Sequence, residues 1–175
     1  MKHLFKTAIV VAVIAASFIS FSAFVSKKKA TATDSYQIVL LTKNNVGSNV
    51  EWTWSLTNPN PGNGNNGTLQ DVSHFDLQLN SEAEAALVSA EISNDGTTWQ
   101  NSTIEVERDP SIRQCTGVDV LKFASGTSGT APTYYRATFN ADFTVNPFAT
   151  SWIKTGGGLA GCNYYYYSGM GTRLD

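Results

Sequence analysis

The chain has 175 residues, with 12 basic against 14 acidic side chains for a net charge of −2, 42% hydrophobic residues and two cysteines. Five of the 12 basic residues, Lys2, Lys6 and Lys27 to Lys29, sit at the N-terminus, so a chain processed near Ala32 keeps seven basic residues against 14 acidic ones, net −7. No basic stripe with interleaved aromatics remains, which leaves nucleic acid and anionic membrane surfaces outside the expected partners.

Lys2 and Lys6 precede an apolar run from Ala8 to Phe24, the layout of a secretory signal. Small residues place cleavage between 22 and 32, which gives residues 1–32 as signal peptide with its own helix and 33–175 as a single domain. The run has 17 residues, about 25 Å as a helix against a hydrocarbon core of about 30 Å. Lys27, Lys28 and Lys29 behind it oppose export. Membrane attachment is therefore expected only if this segment stays uncleaved, and the expected location is secreted or at the cell surface.

Beyond the signal the dominant period is two. YQIVLLT opens the series, and VEWTWSLT sets Val50, Trp52, Trp54 and Leu56 against Glu51, Thr53, Ser55 and Thr57, a strand with one wet face. The stretch NPNPGNGNNG, 58–67, stops strand propagation. With only about 25 processed residues before it, it reads as a flexible rim loop inside one domain rather than a linker. SHFDLQLN follows, with Phe75, Leu77 and Leu79 on one face. SEAEAALV from Ser81 is the one helical segment, with Ser81 and Glu84 at capping-box spacing. VSAEIS, TIEVE, VDVLKF, YYRATFNADFTV and SWIKT are further strands, separated by the turn signals KNNVGSN, SNDG, ASGTSGTAP, VNP and TGGG. Eight or nine short strands with this spacing predict an all-β, antiparallel β-sandwich of jelly-roll or Ig-like type, with one short helix in a crossover.

Chemistry has few candidates. His74 is the single histidine after the signal; along a strand it shares a face with Asp76, while Ser73 and Asp71 face the other way. Asp71, Asp76, Asp119 and Glu51 are the carboxylates a glycosidase would draw on, spread over polar strand faces. No catalytic residue, metal or cofactor is expected. In an oxidising compartment Cys115 and Cys162 read as one disulfide, closing a loop of about 48 residues and contributing about 4 kcal/mol. Asn66-Gly67-Thr68 and Asn101-Ser102-Thr103 match the N-glycosylation pattern but follow an export signal of bacterial type.

Aromatics are the stronger signal. Tyr164, Tyr165, Tyr166 and Tyr167 run in a row, which in a strand puts two rings on each face, and Trp152 precedes them. These five residues are the candidate ligand contacts, since exposed rings stack on sugar faces and anchor protein interfaces. Trp52 and Trp54 read as core, and Trp99 as a cross-strand packer behind the Asn94-Asp95-Gly96 turn.

DVSHFDLQL, DPSIRQCTGVDVLKF, YYRATFNADFTV and WIKTGGGLAGC together resemble exported bacterial β-domains in which an SH-plus-hydrophobic strand precedes a GVKF-like strand and a late IK-x-G turn. The resemblance covers roughly residues 50–170 and implies a module of secreted or surface proteins, with no assigned activity. The expectation is a non-catalytic binding or surface module, with a polysaccharide as first ligand and another extracellular protein as the other partner. The alternatives are a small secreted glycoside hydrolase and a structural or adhesive subunit that assembles with other chains.

Overall fold

A computed structural model describes residues 35–107, 117–155 and 164–174, all within one compact unit, Thr31–Asp175. The segment expected to be a signal peptide, Cys115 and Cys162 lie outside the described residues.

Among the described residues ten strands and one helix follow in chain order: β1 Gln37–Val46, β2 Asn49–Thr57, β3 Val72–Gln78, α1 Ser81–Ala86, β4 Leu87–Ser93, β5 Gln100–Asn101, β6 Glu105–Glu107, β7 Val120–Phe123, β8 Thr133–Phe139, β9 Asp142–Thr155 and β10 Tyr164–Leu174. They form two five-stranded sheets, β1-β2-β8-β4-β5 and β10-β9-β3-β7-β6, and every strand pairing is antiparallel. The chain passes repeatedly between the two sheets, and the expected all-β sandwich is the architecture observed.

Alternation in the sequence becomes the core directly. Trp52, Trp54 and Leu56 of β2 and Tyr135, Ala137 and Phe139 of β8 meet Phe75, Leu77, Leu121 and Phe123 from the second sheet, all of them fully buried. Tyr135 lies 4.9 Å from the Phe75 ring and 5.0 Å from Phe123. Its hydroxyl donates to Ser125 O (3.0 Å), and burial raises its pKa well above the ordinary tyrosine value. Trp54 Nε1 donates across the sandwich to Ser168 O of β10 (2.7 Å), tying an inner strand of one sheet to the edge strand of the other.

The connections differ in places from the sequence reading. KNN belongs to β1, which turns into β2 over only Gly47 and Ser48, with Gly47 at φ +64° supplying the left-handed backbone a two-residue hairpin needs. The helix is capped one residue earlier than expected: Asn80 Oδ1 accepts from Ala83 N (2.7 Å), and the helix ends at Ala86, where β4 begins. YYRATFNADFTV is two strands, because the chain leaves the first sheet after Phe139 and enters the second at Asp142. VNP is no turn; Pro147 lies inside β9, where the register with β10 shifts between Tyr167 and Gly169, so that no ladder hydrogen bond needs its missing N–H.

The loop of residues 58–70 is held by its own hydrogen bonds. Asn58 Nδ2 donates to Leu69 O and Gln70 O, Asn60 Nδ2 to Gly67 O, Leu69 N to Asn60 O and Gly62 N to Leu69 O. The Tyr36 hydroxyl then fixes its exit by donating to Gln70 O (2.6 Å), and burial pushes that phenol up to about 12. The loop carries the chain from β2 to β3, inside one sandwich as the sequence implied, and several of its amides and carbonyls pair within the loop.

Candidate aromatic binding surface

The last two strands position the site. Pairing of Tyr164 with Trp152, Tyr166 with Thr150 and Tyr167 with Ala149 turns the four tyrosines alternately outward and inward. Tyr167 is buried against Trp54 (6.0 Å), and its hydroxyl lies 3.4 Å from Gln78 O; full burial raises its pKa strongly. Tyr165 is half-buried, packed edge-on against Tyr36 (5.8 Å, 83°), and burial likewise raises it. Tyr164 and Tyr166 point outward and keep 56% and 61% of their surface exposed.

A third ring joins them. Pro147 and Phe148 form a bulge in β9, and Phe148 N donates to Asn146 Oδ1 (3.0 Å), which swings the Phe148 ring out to 72% exposure. Phe148 meets Tyr166 edge-to-face at 6.2 Å and 87°, and Tyr166 meets Tyr164 at 5.6 Å and 74°. A hydrogen bond to Tyr164, and secondarily the charge Tyr164 would carry, raise the Tyr166 pKa, which keeps the Tyr166 phenol neutral and available as a hydrogen-bonding group at neutral pH. The result is a ridge of three rings along the edge strand of the second sheet, with Thr150 beside it.

Trp152, expected among the contacts, is not part of this surface. It occupies the same outer face as Tyr164 but one strand further in, where it is 6% exposed and packs with Val120. Tyr165 and Tyr167 also drop out, since the two-residue period directs them into the sandwich. Phe148 was missed because VNP reads as a turn; a proline inside a strand pattern is the signal for a bulge that re-aims its neighbour.

The other candidates fall in separate places. His74 Nε2 lies 3.7 Å from the buried Asp76 Oδ2, and Ser73 Oγ lies 3.3 Å from His74 Nδ1. Ser73 nevertheless donates its hydroxyl proton to Lys154 O (3.1 Å), which leaves its oxygen an acceptor toward the imidazole, the reverse of an activated nucleophile. Glu51 and Glu91 converge on the outer face of the first sheet, both on Arg136 (3.4 and 2.8 Å), whose guanidinium stacks on Trp99 at 4.0 Å. Asp71 accepts from Gly129 N, and Asp119 is exposed. Among the described residues no cluster of His, Cys, Asp and Glu could hold a metal, and no helix is long and apolar enough to cross a membrane. A cleft of about 430 Å³ between the β4–β5 connection and the end of β7 is lined by Ser93, Asn94, Asp95, Gln100, Asn101 and Ser125, with no cation and no aromatic ring.

No protein-family model, curated protein or solved structure matches the chain. What the fold and the surface define is an antiparallel β-sandwich that carries an exposed aromatic ridge on the edge strand β10 and the adjoining β9.

Proposed function

We propose that the chain is an exported, non-catalytic binding module that holds a glycan against Phe148, Tyr164 and Tyr166. The observation that carries this reading is the exposure of three contacting rings, 56–72%, in a protein that buries its other large aromatics wherever strand alternation allows. Such rings offer apolar faces for the C–H surfaces of sugars and, from the tyrosines, hydroxyls for hydrogen bonding. The successive ring planes stand at 74° and 87° to one another. A ridge of that shape suits a single hydrated glycan chain better than a flat crystalline polysaccharide, which calls for coplanar rings.

The test is depletion of the purified protein on a panel of soluble and insoluble polysaccharides, with sugar release recorded in parallel. The expected outcome is retention without release, lost at least tenfold in Tyr166→Ala and Phe148→Ala while the melting temperature stays within about 2 °C, as for exposed substitutions. Tyr167→Ala serves as the contrast, lowering stability by about 3–5 kcal/mol through cavity formation. Retention unchanged in both surface variants refutes the ridge, and sugar release turns the reading to a hydrolase.

A second reading rests on β1, a ten-residue edge strand with Val39, Leu41 and Val46 about half exposed. Open apolar edges recruit strands from other chains, the chemistry of an assembling subunit. Sedimentation of the wild type against Val39→Lys separates this reading from the first, because the substitution should abolish self-association and leave glycan retention unchanged.

A further inference from the structure

Residues 58–70 contain two Asn-Gly pairs, Asn63-Gly64 and Asn66-Gly67, and all four residues are exposed. An Asn-Gly step is chemically labile, because glycine has no Cβ to shield its backbone nitrogen from the preceding side-chain amide. The two pairs differ in what holds the reacting atoms. At the first, Gly64 N donates to Thr68 Oγ1 (3.1 Å), Asn63 Oδ1 accepts from Asn65 N (3.0 Å), and the Asn63 carbonyl accepts from Gln70 Nε2 (3.2 Å). Nucleophile and electrophile are both engaged. At the second pair, Asn66 has φ +53° and Gly67 φ +79°, and Thr68 N donates to Asn65 O (3.0 Å), a tight turn of the mirror-image type. In such a turn the N–H of Gly67 and the side-chain amide of Asn66 are left to solvent, and among the described residues neither is hydrogen-bonded.

We propose that Asn66 is a selective deamidation site, converted to aspartate and isoaspartate in the folded protein while Asn63 is protected. The Gly67 backbone nitrogen, having lost its proton to base, attacks Asn66 Cγ, and a new N–C bond closes a five-membered succinimide as the Cγ–Nδ2 bond breaks and ammonia leaves. Water then opens the ring at either carbonyl. Opening at Cγ gives aspartate with the original backbone, and opening at the α-carbonyl gives isoaspartate, whose backbone runs through the former side chain. No oxidant or enzyme is required. Either product puts a carboxylate into a segment, 58–70, that contains no acidic residue. The isoaspartate form also lengthens the backbone beside Gly67 O, the acceptor of Asn60 Nδ2, and so works against the loop's internal bonds. The inference is independent of the glycan proposal.

The test is incubation of the full chain at mildly alkaline pH, with peptide mapping by liquid chromatography and mass spectrometry, beside the same chain in denaturant. The native protein should accumulate the acid and isoaspartate pair at Asn66 at least about tenfold faster than at Asn63, the protection expected of two hydrogen bonds on the reacting groups. In denaturant the two sites should converge. Thr68→Ala, which removes the acceptor of Gly64 N, should raise the native rate at Asn63, and the Asn66 rate should increase with pH. Equal native rates, a faster Asn63, or no conversion at Asn66 where the denatured chain converts would each overturn the proposal.

Discussion

Trp52 and Trp54 allow one hydrogen bond to be weighed against near-identical packing. Both are fully buried on the same face of β2, with rings stacked at 5.9 Å. Trp54 Nε1 donates to Ser168 O at 2.7 Å, whereas Trp52 Nε1 is buried and has no hydrogen-bond partner among the described residues. Replacing either by phenylalanine deletes the same atoms, a packing loss of about 1–2 kcal/mol given that full truncation to alanine costs about 3–5. Trp54→Phe also strips Ser168 O of its donor, adding about 1–3 kcal/mol. Trp52→Phe removes a polar group whose burial costs a comparable about 1–3 kcal/mol, and sacrifices part of a Lys43 contact 5.3 Å from the ring centroid, worth about 0.5–1 kcal/mol. The ledger gives about 2–5 kcal/mol destabilisation for Trp54→Phe and between about −1.5 and 2 for Trp52→Phe, a difference of about 1–5.5 kcal/mol because the packing loss is common to both. At roughly 2–4 °C per kcal/mol for a chain of this size, the two melting temperatures should differ by at least about 2 °C. Urea titrations with a common m value supply the check, since a shift in midpoint alone reports stability. If Trp52→Phe is as destabilising as Trp54→Phe, the buried Trp52 N–H carries no penalty and the reasoning fails.

Asp95 carries the clearest pH signature. Hydrogen bonds from the Thr98 and Thr97 backbones, then from Ser93, hold its carboxyl far below the ordinary carboxylate range. A depressed folded-state pKa contributes stability that is present above the unfolded value of about 3.9 and is lost as pH falls through the folded one. Melting temperatures taken from pH 6 down to pH 2 should therefore fall below about pH 4 more steeply in the wild type than in Asp95→Asn, and parallel curves would remove Asp95 from the acid transition. The disulfide expected between Cys115 and Cys162 rests on the sequence, since both residues lie outside the described ones. The protein from an oxidising compartment should resist alkylation until reduced, and two alkylated thiols without reductant would refute the disulfide.

Much of the fold was legible because burial follows parity. Trp52, Trp54 and Leu56 all turn inward, and so do Tyr165 and Tyr167 among four identical side chains that composition alone could not have sorted. Parity is also why one boundary stayed hidden. Tyr135, Ala137, Phe139 and Phe143 keep the same phase through residues 140–141, although the chain changes sheet there. Both sheets face one core, so a strand that crosses the corner continues to bury the same alternate residues, and Phe139 still meets Phe143 at 5.8 Å. The hydrogen bonding of residues 58–70 was hidden for another reason: their Asn, Gly and Thr mark a turn-rich segment, but which amide meets which carbonyl is decided only when the ends are brought together.

The candidate site shows where parity stops being informative. Trp152 and Tyr164 are direct partners on one outer face, and the sequence treats them alike. One is 6% exposed and the other 56%. What separates them is lateral position: Trp152 lies on β9, flanked by β3 and β10 and packed with Val120 two strands away on the same face, whereas Tyr164 lies on the edge strand. Strand order is a property of the assembled sheet and leaves no local mark in the sequence. The Phe148 bulge adds a second departure, since it turns out a ring from a β9 segment in which strict alternation with Pro147 present could not be sustained. The ridge of Phe148, Tyr164 and Tyr166 thus combines one feature the period predicts with two that only edge position and a broken register produce, and for that reason single substitutions at Phe148 and Tyr166 test more of the argument than any change within the tyrosine run alone.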